Sequence, residues 1–448
     1  METTTEFSRE EFERSLSSRD LPSLRAMLAD AGIGVVVEEM DRLRAQERAV
    51  AFRLLAKDRA LEVFERLDPA SQGELIQVLR DDETVAAFEA MDPDDRVSLI
   101  DELPAGVAAR LMSGLSRKER ALTTVVLGYS KGSIGRQMSP EVLTVHPDQT
   151  VEAALQRVRA RLRQSETVYT ICVTDRTRKL LGVISLRDLL ESDPEVLVAD
   201  LVAPADVALA TGPAEDAARR CAERRRLALP VVDSEGRLVG IFTVDDALRI
   251  IEEAESEDQA RLGGTEPLRR HYLSTPISQI VKSRVVWLLV LAIGASLTVR
   301  VLEHFEATLS ELVVLSVFIP LLIGTGGNTG NQAATTVTRA LALGEVRPRD
   351  VAKVVARESA TGASLGLILG GLGFAVTSLV YDVGIGTVIG LTLLTMCTLA
   401  ATVGGTMPLL AKSVRADPAV FSNPFISTFV DATGLIVYFL IAKLVLGL

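Results

Sequence analysis

The sequence predicts a multidomain α+β membrane protein: a cytoplasmic α-superhelical N-domain, a pair of β-β-α units, a connecting helix and a transmembrane domain of five helices. Three observations carry this: a helical repeat of 24 residues, a second repeat at a shift of 58, and five apolar stretches late in the chain. Charge divides the chain at the same place. Residues 1–274 hold 50 acidic and 37 basic side chains, whereas residues 275–448 hold 9 and 11. A chain of 448 residues has room for several domains.

The first repeat pairs "VFERLDPASQGELIQVL" (63–79) with "AFEAMDPDDRVSLIDEL" (87–103), and a looser copy holds Met112, Leu115, Ser116 and Leu127 in phase. Asp-Pro is a helix-start signal, because Asp accepts a capping bond and Pro takes a position whose N–H has no helical partner. Residues 1–130 are therefore expected to stack short helices into a superhelix.

The second repeat pairs "TICVTDRTRKLLGVISLRDLL" (170–190) with "LALPVVDSEGRLVGIFTVDDAL" (227–248). Each copy reads as an apolar strand, a turn, a second strand ending in Gly, and a Ser or Thr that caps a helix. Such paired units resemble a tandem cystathionine-β-synthase (CBS) domain pair, a regulatory module, here over 131–247. In that family the Ser/Thr-x-x-Asp corner, Ser185 to Asp188 and Thr243 to Asp246, can hold an adenosine ribose. A plain helix cap explains the same residues. After the pair, "ALRIIEEAESEDQARLGG" (247–264) reads as an acidic amphipathic helix with a glycine stop, within a connecting segment 248–272.

The transmembrane domain is expected over 273–448. Val285–Val299, Leu312–Thr338, Ser359–Tyr381, Val383–Ala411 and Pro418–Ala442 lack Asp, Glu, Lys and Arg, except for Asp431 in the last. Basic residues flank span one and the loops after spans two and four. By the positive-inside rule the N-terminus is cytoplasmic and the C-terminus outside, in a multi-pass protein of the inner (plasma) membrane. No secretory signal is read at "METTTEFSREEFERSL". Cys172, Cys221 and Cys397 have no metal-ligand or disulfide spacing and are expected to be buried thiols.

Inside hydrocarbon, glycine-rich or amide-rich backbone is tolerated only in protein or beside water. "PLLIGTGGNTGNQ" (320–332) places Gly326, Gly327, Asn328, Asn331 and Gln332 there, which marks them as pore-lining candidates. In "GLILGGLG" (366–373) small residues suffice for helix packing. Asp431 is the sharper signal, since a carboxylate near the bilayer centre costs about 2.5–3.5 kcal/mol on the lenient insertion scale. A cation in an aqueous pore would offset that. Oxygen ligands without a His or Cys cluster favour a hard ion such as Mg²⁺ or Ca²⁺. Two copies of Asp431 on the axis of a homodimer would match one hydrated dication.

"PLLIGTGGNTGNQ" (320–332) and "DPAVFSNPFISTFVDATGL" (417–435) closely resemble the signature segments of the MgtE family of magnesium transporters and channels. The domain order matches over essentially the whole chain. The resemblance implies a homodimer with its pore on the dimer axis, Asp431 binding hydrated Mg²⁺ and Asn423 near the cytoplasmic constriction. It also implies feedback, with intracellular Mg²⁺ bridging Glu62, Asp94, Glu215, Asp246, Glu257, Asp258 and Asp417 between N-domain, CBS pair and a connecting "plug" helix. Arg225, Arg249, Ser98 and Ala254 stand where the family tends to place acids, so the arginines are expected to replace part of the bound metal and weaken gating.

Passive uptake is expected, because a dication crossing −100 mV gains about 4.6 kcal/mol, twice the value for one charge. No loop of the nucleotide-driven pumps is present. Partners are then Mg²⁺, the lipid bilayer, a second copy of the chain and, as an open question, ATP at the CBS pair; no nucleic acid is expected. Two alternatives remain: transport of Mn²⁺, Co²⁺ or Ca²⁺, or a membrane-anchored cation or nucleotide sensor without transport. An enzyme is not expected, since His146, His271 and His304 are scattered and no nucleophile–base pairing is visible.

Overall fold

The computed structural model describes residues 7–18, 20–79, 81–268, 272–414 and 423–447. These form two compact units, one reaching to Ala254 with the short stretch 272–275, the other built from Glu255–Leu268 and the chain from Pro276 onward.

The first unit opens with helices that begin every twelve residues: α1 (Arg9–Ser18), α2 (Leu21–Asp30), α3 (Ile33–Arg42), α4 (Ala45–Leu54), α5 (Lys57–Arg66), α6 (Pro69–Val78), α7 (Asp81–Ala90), α8 (Pro93–Glu102), α9 (Ala105–Gly114) and α10 (Arg117–Leu127). The 24-residue repeat is a pair of these. Helices so short are not stable alone, and they share one core through Val36, Met40, Phe52, Phe64, Leu75, Phe88 and Leu99. Asp68 caps α6 by accepting the Ser71 N–H at 2.7 Å, but Asp92 makes no such side-chain bond at α8.

A second device repeats with the helices. At the fourth position of α4, α6, α8 and α10 a long polar side chain reaches back to the carbonyl oxygens ending the helix before it. Arg48 donates to Met40 O at 2.8 Å and Leu43 O at 2.9 Å, Gln72 to Phe64 O at 2.8 Å, Arg96 to Met91 O at 2.9 Å, and Arg120 to Met112 O at 2.9 Å. The last carbonyls of a helix have no partner of their own, and a cation there also meets the negative end of the helix dipole. Arg48 and Arg96 are each 1% exposed and additionally pair with Glu74 and Glu119.

The paired units follow as β1 (Thr144–Val145), α11 (Val151–Arg161), β2 (Thr170–Thr174), β3 (Leu180–Ser185), α12 (Leu186–Glu191) and α13 (Val198–Leu201), then β4 (Ala208–Leu209), α14 (Ala214–Glu223), β5 (Ala228–Val232), β6 (Leu238–Thr243) and α15 (Val244–Leu262). Each sheet has three strands, with a short parallel strand beside an antiparallel pair. The second strand of each pair does not end in Gly. Gly182 and Gly240 lie mid-strand, where a side chain would strike Ala203 O or lie 2.9 Å from Ser139 O, so the glycines admit a neighbouring segment rather than stop the strand.

The second unit contains α16 (Ile277–His304), α17 (Glu306–Glu311), α18 (Val314–Ala342), α19 (Val351–Val380), α20 (Val383–Ser413) and α21 (Asn423–Leu446). Among the described residues four helices are long and apolar enough to cross a membrane: 277–304, 348–380, 383–413 and 424–446. The fifth expected span, α18, is an unbroken helix of 29 residues, but its Gly and Asn residues dilute its hydropathy. On α19, Gly362, Gly366 and Gly370 recur every four residues. A methyl group there would lie 2.6 Å from Cys397 O, 2.7 Å from Leu394 Cα and 2.6 Å from Gly390 O, so α19 and α20 touch backbone to backbone.

Candidate ion path and carboxylate cluster

Asp431 lies in the third turn of α21 and faces α18 at Gly327. A methyl group at Gly327 would sit 3.8 Å from Asp431 Oδ1 and 3.4 Å from Ser427 Cβ. Asp431 Oδ1 is buried and has no hydrogen-bond partner, and neither has the buried Asn331 Oδ1 one turn along α18. Among the described residues no Lys or Arg pairs with Asp431. Two buried acceptors without partners on this one pair of helices are costly without a donor or a cation.

The adjoining face of α18, which shares Asn331, sharpens the point. Gly324, Asn328, Asn331 and Thr335 follow helical spacing, and all but the half-buried Asn331 are exposed on the single chain; Gln332 is exposed beside them. The opposite stripe of Gly326, Gly330, Ala333, Ala334 and Val337 is buried. Gly326 packs on Met396 of α20, and Gly404 of α20 has Gly330 O where a side chain would begin. Amides pointing into acyl chains are unfavourable, so this polar stripe fits a wet surface.

In the first unit, Asp94 and Asp246 come together with Asp95, one carboxylate oxygen from each lying within 4.8 Å of the others. Asp94 is 4% exposed and its Oδ1 has no partner. Burial, then the charges of Asp246, Asp95 and Glu166, push the Asp94 carboxyl well above the usual range. Burial and Asp246 raise Asp95 to about 7, and burial with Asp92 and Asp246 raises Glu166 to about 8. Arg249 answers part of this charge. Its guanidinium donates to Asp246 Oδ1 at 2.7 Å and lies 3.6 Å from Glu253, and the attraction of Asp246 outweighs burial to hold it charged. Asp246 also accepts from Thr243 Oγ1 at 3.0 Å.

The other expected sensor residues are elsewhere. Glu62 is paired with Arg66 at 3.1 Å and Glu215 with Arg219 at 2.8 Å, each one turn away on its own helix. Glu257 pairs with Arg261 on α15. Asp258 is half-buried on that helix, in the second unit, and Asp417 lies outside the described residues. Asn423 starts α21, and its side chain is outside the description. Arg225 is exposed at φ 52°, at the end of α14, so it does not share the role of Arg249. Ser185 and Asp188 exchange the two bonds of a capping box. Asp95 and Glu166 escaped the sequence reading. Asp95 is visible only as the third acid of "DPDD", and Glu166 only through the folding of the first β-β-α unit.

Known proteins place this geometry. The family model described as "Divalent cation transporter" matches residues 319–441, the "MgtE intracellular N domain" 33–132, and the "CBS domain" 132–195 and 200–253. The Magnesium transporter MgtE of Thermus thermophilus is 37% identical over 441 residues, covering 97% of both chains. This chain belongs to the MgtE family of magnesium transporters. The MgtE of Enterococcus faecalis is 32% identical and covers 71% of this chain and 70% of its own. A solved structure of the cytosolic domain of the Mg²⁺ channel MgtE in complex with ATP is 33% identical, with a TM-score of 0.50, over 53% of this chain and 98% of that one. MgtE proteins are transporters and not enzymes, and the helical domain, CBS pair and apolar helices found here are the family's parts.

Proposed function

We propose that this MgtE protein is a homodimeric, Mg²⁺-selective channel or transporter that lets Mg²⁺ pass down its electrochemical gradient into the cytoplasm. One observation carries the reading: Asp431 and Asn331 hold unsatisfied oxygens next to the glycines of α18, beside a polar stripe that a second copy could enclose as a wet path. A hydrated dication between two copies of Asp431 satisfies all of these groups. Gly327, Asn328, Asn331 and Gln332 line the path, with Asn423 at its inner mouth, whereas Gly326, expected there from the sequence, packs on Met396 of α20. In this reading α18 is the fifth span, the N-terminus is cytoplasmic and the C-terminus lies outside. The parts are 1–130, the CBS pair 131–247, a plug helix within 248–272, and the membrane domain 273–448.

Regulation follows from the carboxylates. Cytoplasmic Mg²⁺ is proposed to act through Asp94 and Asp246, with Asp95 beside them, and through Glu62, Glu215, Glu257, Asp258 and Asp417. Three carboxylates at such separations need a balancing charge, and Arg249 already supplies one. Gating by Mg²⁺ is therefore weaker than an all-carboxylate site would give. ATP at the CBS pair is a further proposal, resting on the ATP bound by the related cytosolic domain.

The test is uptake into liposomes of the full chain, comparing Mg²⁺ with Ca²⁺ and wild type with Asp431→Ala. Mg²⁺ flux that depends on Asp431 is expected. Equal flux of Ca²⁺ points to the broader transporter reading. A protein that carries no cation yet keeps a cytoplasmic response to Mg²⁺ is the membrane-anchored sensor instead.

A further inference from the structure

The last turn of α15 runs into a strap, Gly263–Glu266, that touches two membrane helices. Gly264 has φ 67° and donates to Arg261 O at 2.9 Å, and Thr265 N donates to Ala260 O at 3.0 Å. These are the two bonds of a Schellman stop, which needs a left-handed residue and so favours Gly. Gly264 is buried against α21, where a methyl group would lie 3.0 Å from Pro424 Cγ. Two residues on, Glu266 N donates to Ser283 O at 3.0 Å, and Trp287 Nε1 donates to Glu266 Oε1 at 2.9 Å. Ser283 and Trp287 are one turn apart on α16, so both bonds fall on the same face.

We propose that this strap positions the first turns of α21, by clamping Pro424 against α16 through the Glu266–Trp287 and Glu266–Ser283 bonds. The proposal rests on the transport reading above. The helices need such a clamp. No side chain of α16 is buried, and an apolar cavity of about 620 Å³, lined by Leu291, Leu297, Phe425, Phe429 and Ile436, opens between α16 and α21. Their close approach is at Gly294, where a methyl group would lie 2.7 Å from Thr428 Cγ2. Thr428 and Pro424 are one turn apart, and Asp431 lies about 10 Å beyond Pro424 at 1.5 Å per residue. A shift of the strap therefore moves the part of α21 that carries Asp431. An indole at a membrane boundary is also an ordinary interfacial anchor, but an anchor does not require an acceptor from the strap.

Trp287 is the single tryptophan of the chain, so its emission reports the contact. The full chain in liposomes is compared as wild type, Glu266→Ala, Glu266→Gln, Trp287→Phe and Asp431→Ala. Glu266→Ala is expected to move the Trp287 emission and to change Mg²⁺ flux about tenfold, the scale of a lost charge-assisted bond. Glu266→Gln keeps an accepting oxygen and should stay within about twofold of wild type in flux. Trp287→Phe removes the donor and should match Glu266→Ala in flux. Flux that depends on Asp431 yet is unmoved by Glu266→Ala and Trp287→Phe overturns the strap alone. Loss of flux in Glu266→Gln equal to that in Glu266→Ala overturns it too, whereas wild type no better than Asp431→Ala overturns the transport reading.

Discussion

Arg249 reaches Asp246 at 2.7 Å and places a fixed positive charge beside the half-buried Asp95 and the buried Asp94. A tethered guanidinium is present at every Mg²⁺ concentration, and a dissolved ion is not. Replacing it by an acid exchanges a permanent counter-charge for one that depends on supply.

Arg249→Asp should accordingly make the full chain depend on Mg²⁺ for stability. A ligand at a hundred times its Kd stabilises by about 2.7 kcal/mol. Thermal unfolding with and without Mg²⁺ is expected to show a much larger upward shift in the variant than in wild type. Equal shifts would mean that the guanidinium does not compete with the metal.

The raised carboxyls predict a pH dependence. Glu166 is protonated in the fold up to about 8, against a usual value of 4.5. The folded form thus binds more protons in between, so the stabilisation it contributes is full below 4.5 and is lost as pH rises through about 8. Glu166→Gln should remove that slope and raise the melting temperature at pH 8, by about 2–4 °C per kcal/mol recovered.

The helix braces predict a ranking of stabilities. Arg48→Ala and Arg96→Ala each strip a buried cation from several carbonyls and a carboxylate, and should cost about 3–5 kcal/mol in urea unfolding. Gln72→Ala loses a neutral bond and should cost about 1 kcal/mol plus any penalty for the exposed carbonyl. If Gln72→Ala proves as damaging as Arg96→Ala, charge is not what the brace contributes.

Two glycines on neighbouring helices should behave differently. Gly327→Ala meets only ordinary contacts, the nearest at 3.4 Å, so the protein should fold normally while Mg²⁺ flux falls beside Asp431. Gly404→Ala would drive a methyl group into Gly330 O, and should lower the yield of folded protein. Flux and melting temperature measured together separate the two.

Much of this was legible because local chemistry and tertiary packing agree. Asp68-Pro69 starts a helix, the 24-residue spacing is a helix pair, and Asp431 in an apolar run marks a membrane helix that turns an acid toward a glycine. The braces were not legible, since Arg48, Gln72, Arg96 and Arg120 are three arginines and a glutamine on helices that look solvent-facing in sequence. Their role exists only once the preceding helix ends against them. Gly182 and Gly240 misled for the same reason: a glycine in a strand looks like a stop until the neighbouring segment is in place. Arg225 and Arg249 look equivalent in sequence, and only the fold turns one toward Asp246 and leaves the other exposed.

Because the helices of the N-domain begin at a fixed interval and, from α4 onward, each second one secures its predecessor, this region is built in interchangeable modules. A segment such as 69–92 could be excised or duplicated whole without orphaning a helix end, while a cut that is not a multiple of 24 residues would leave one brace facing the wrong backbone. The length of this region is thereby adjustable only in steps.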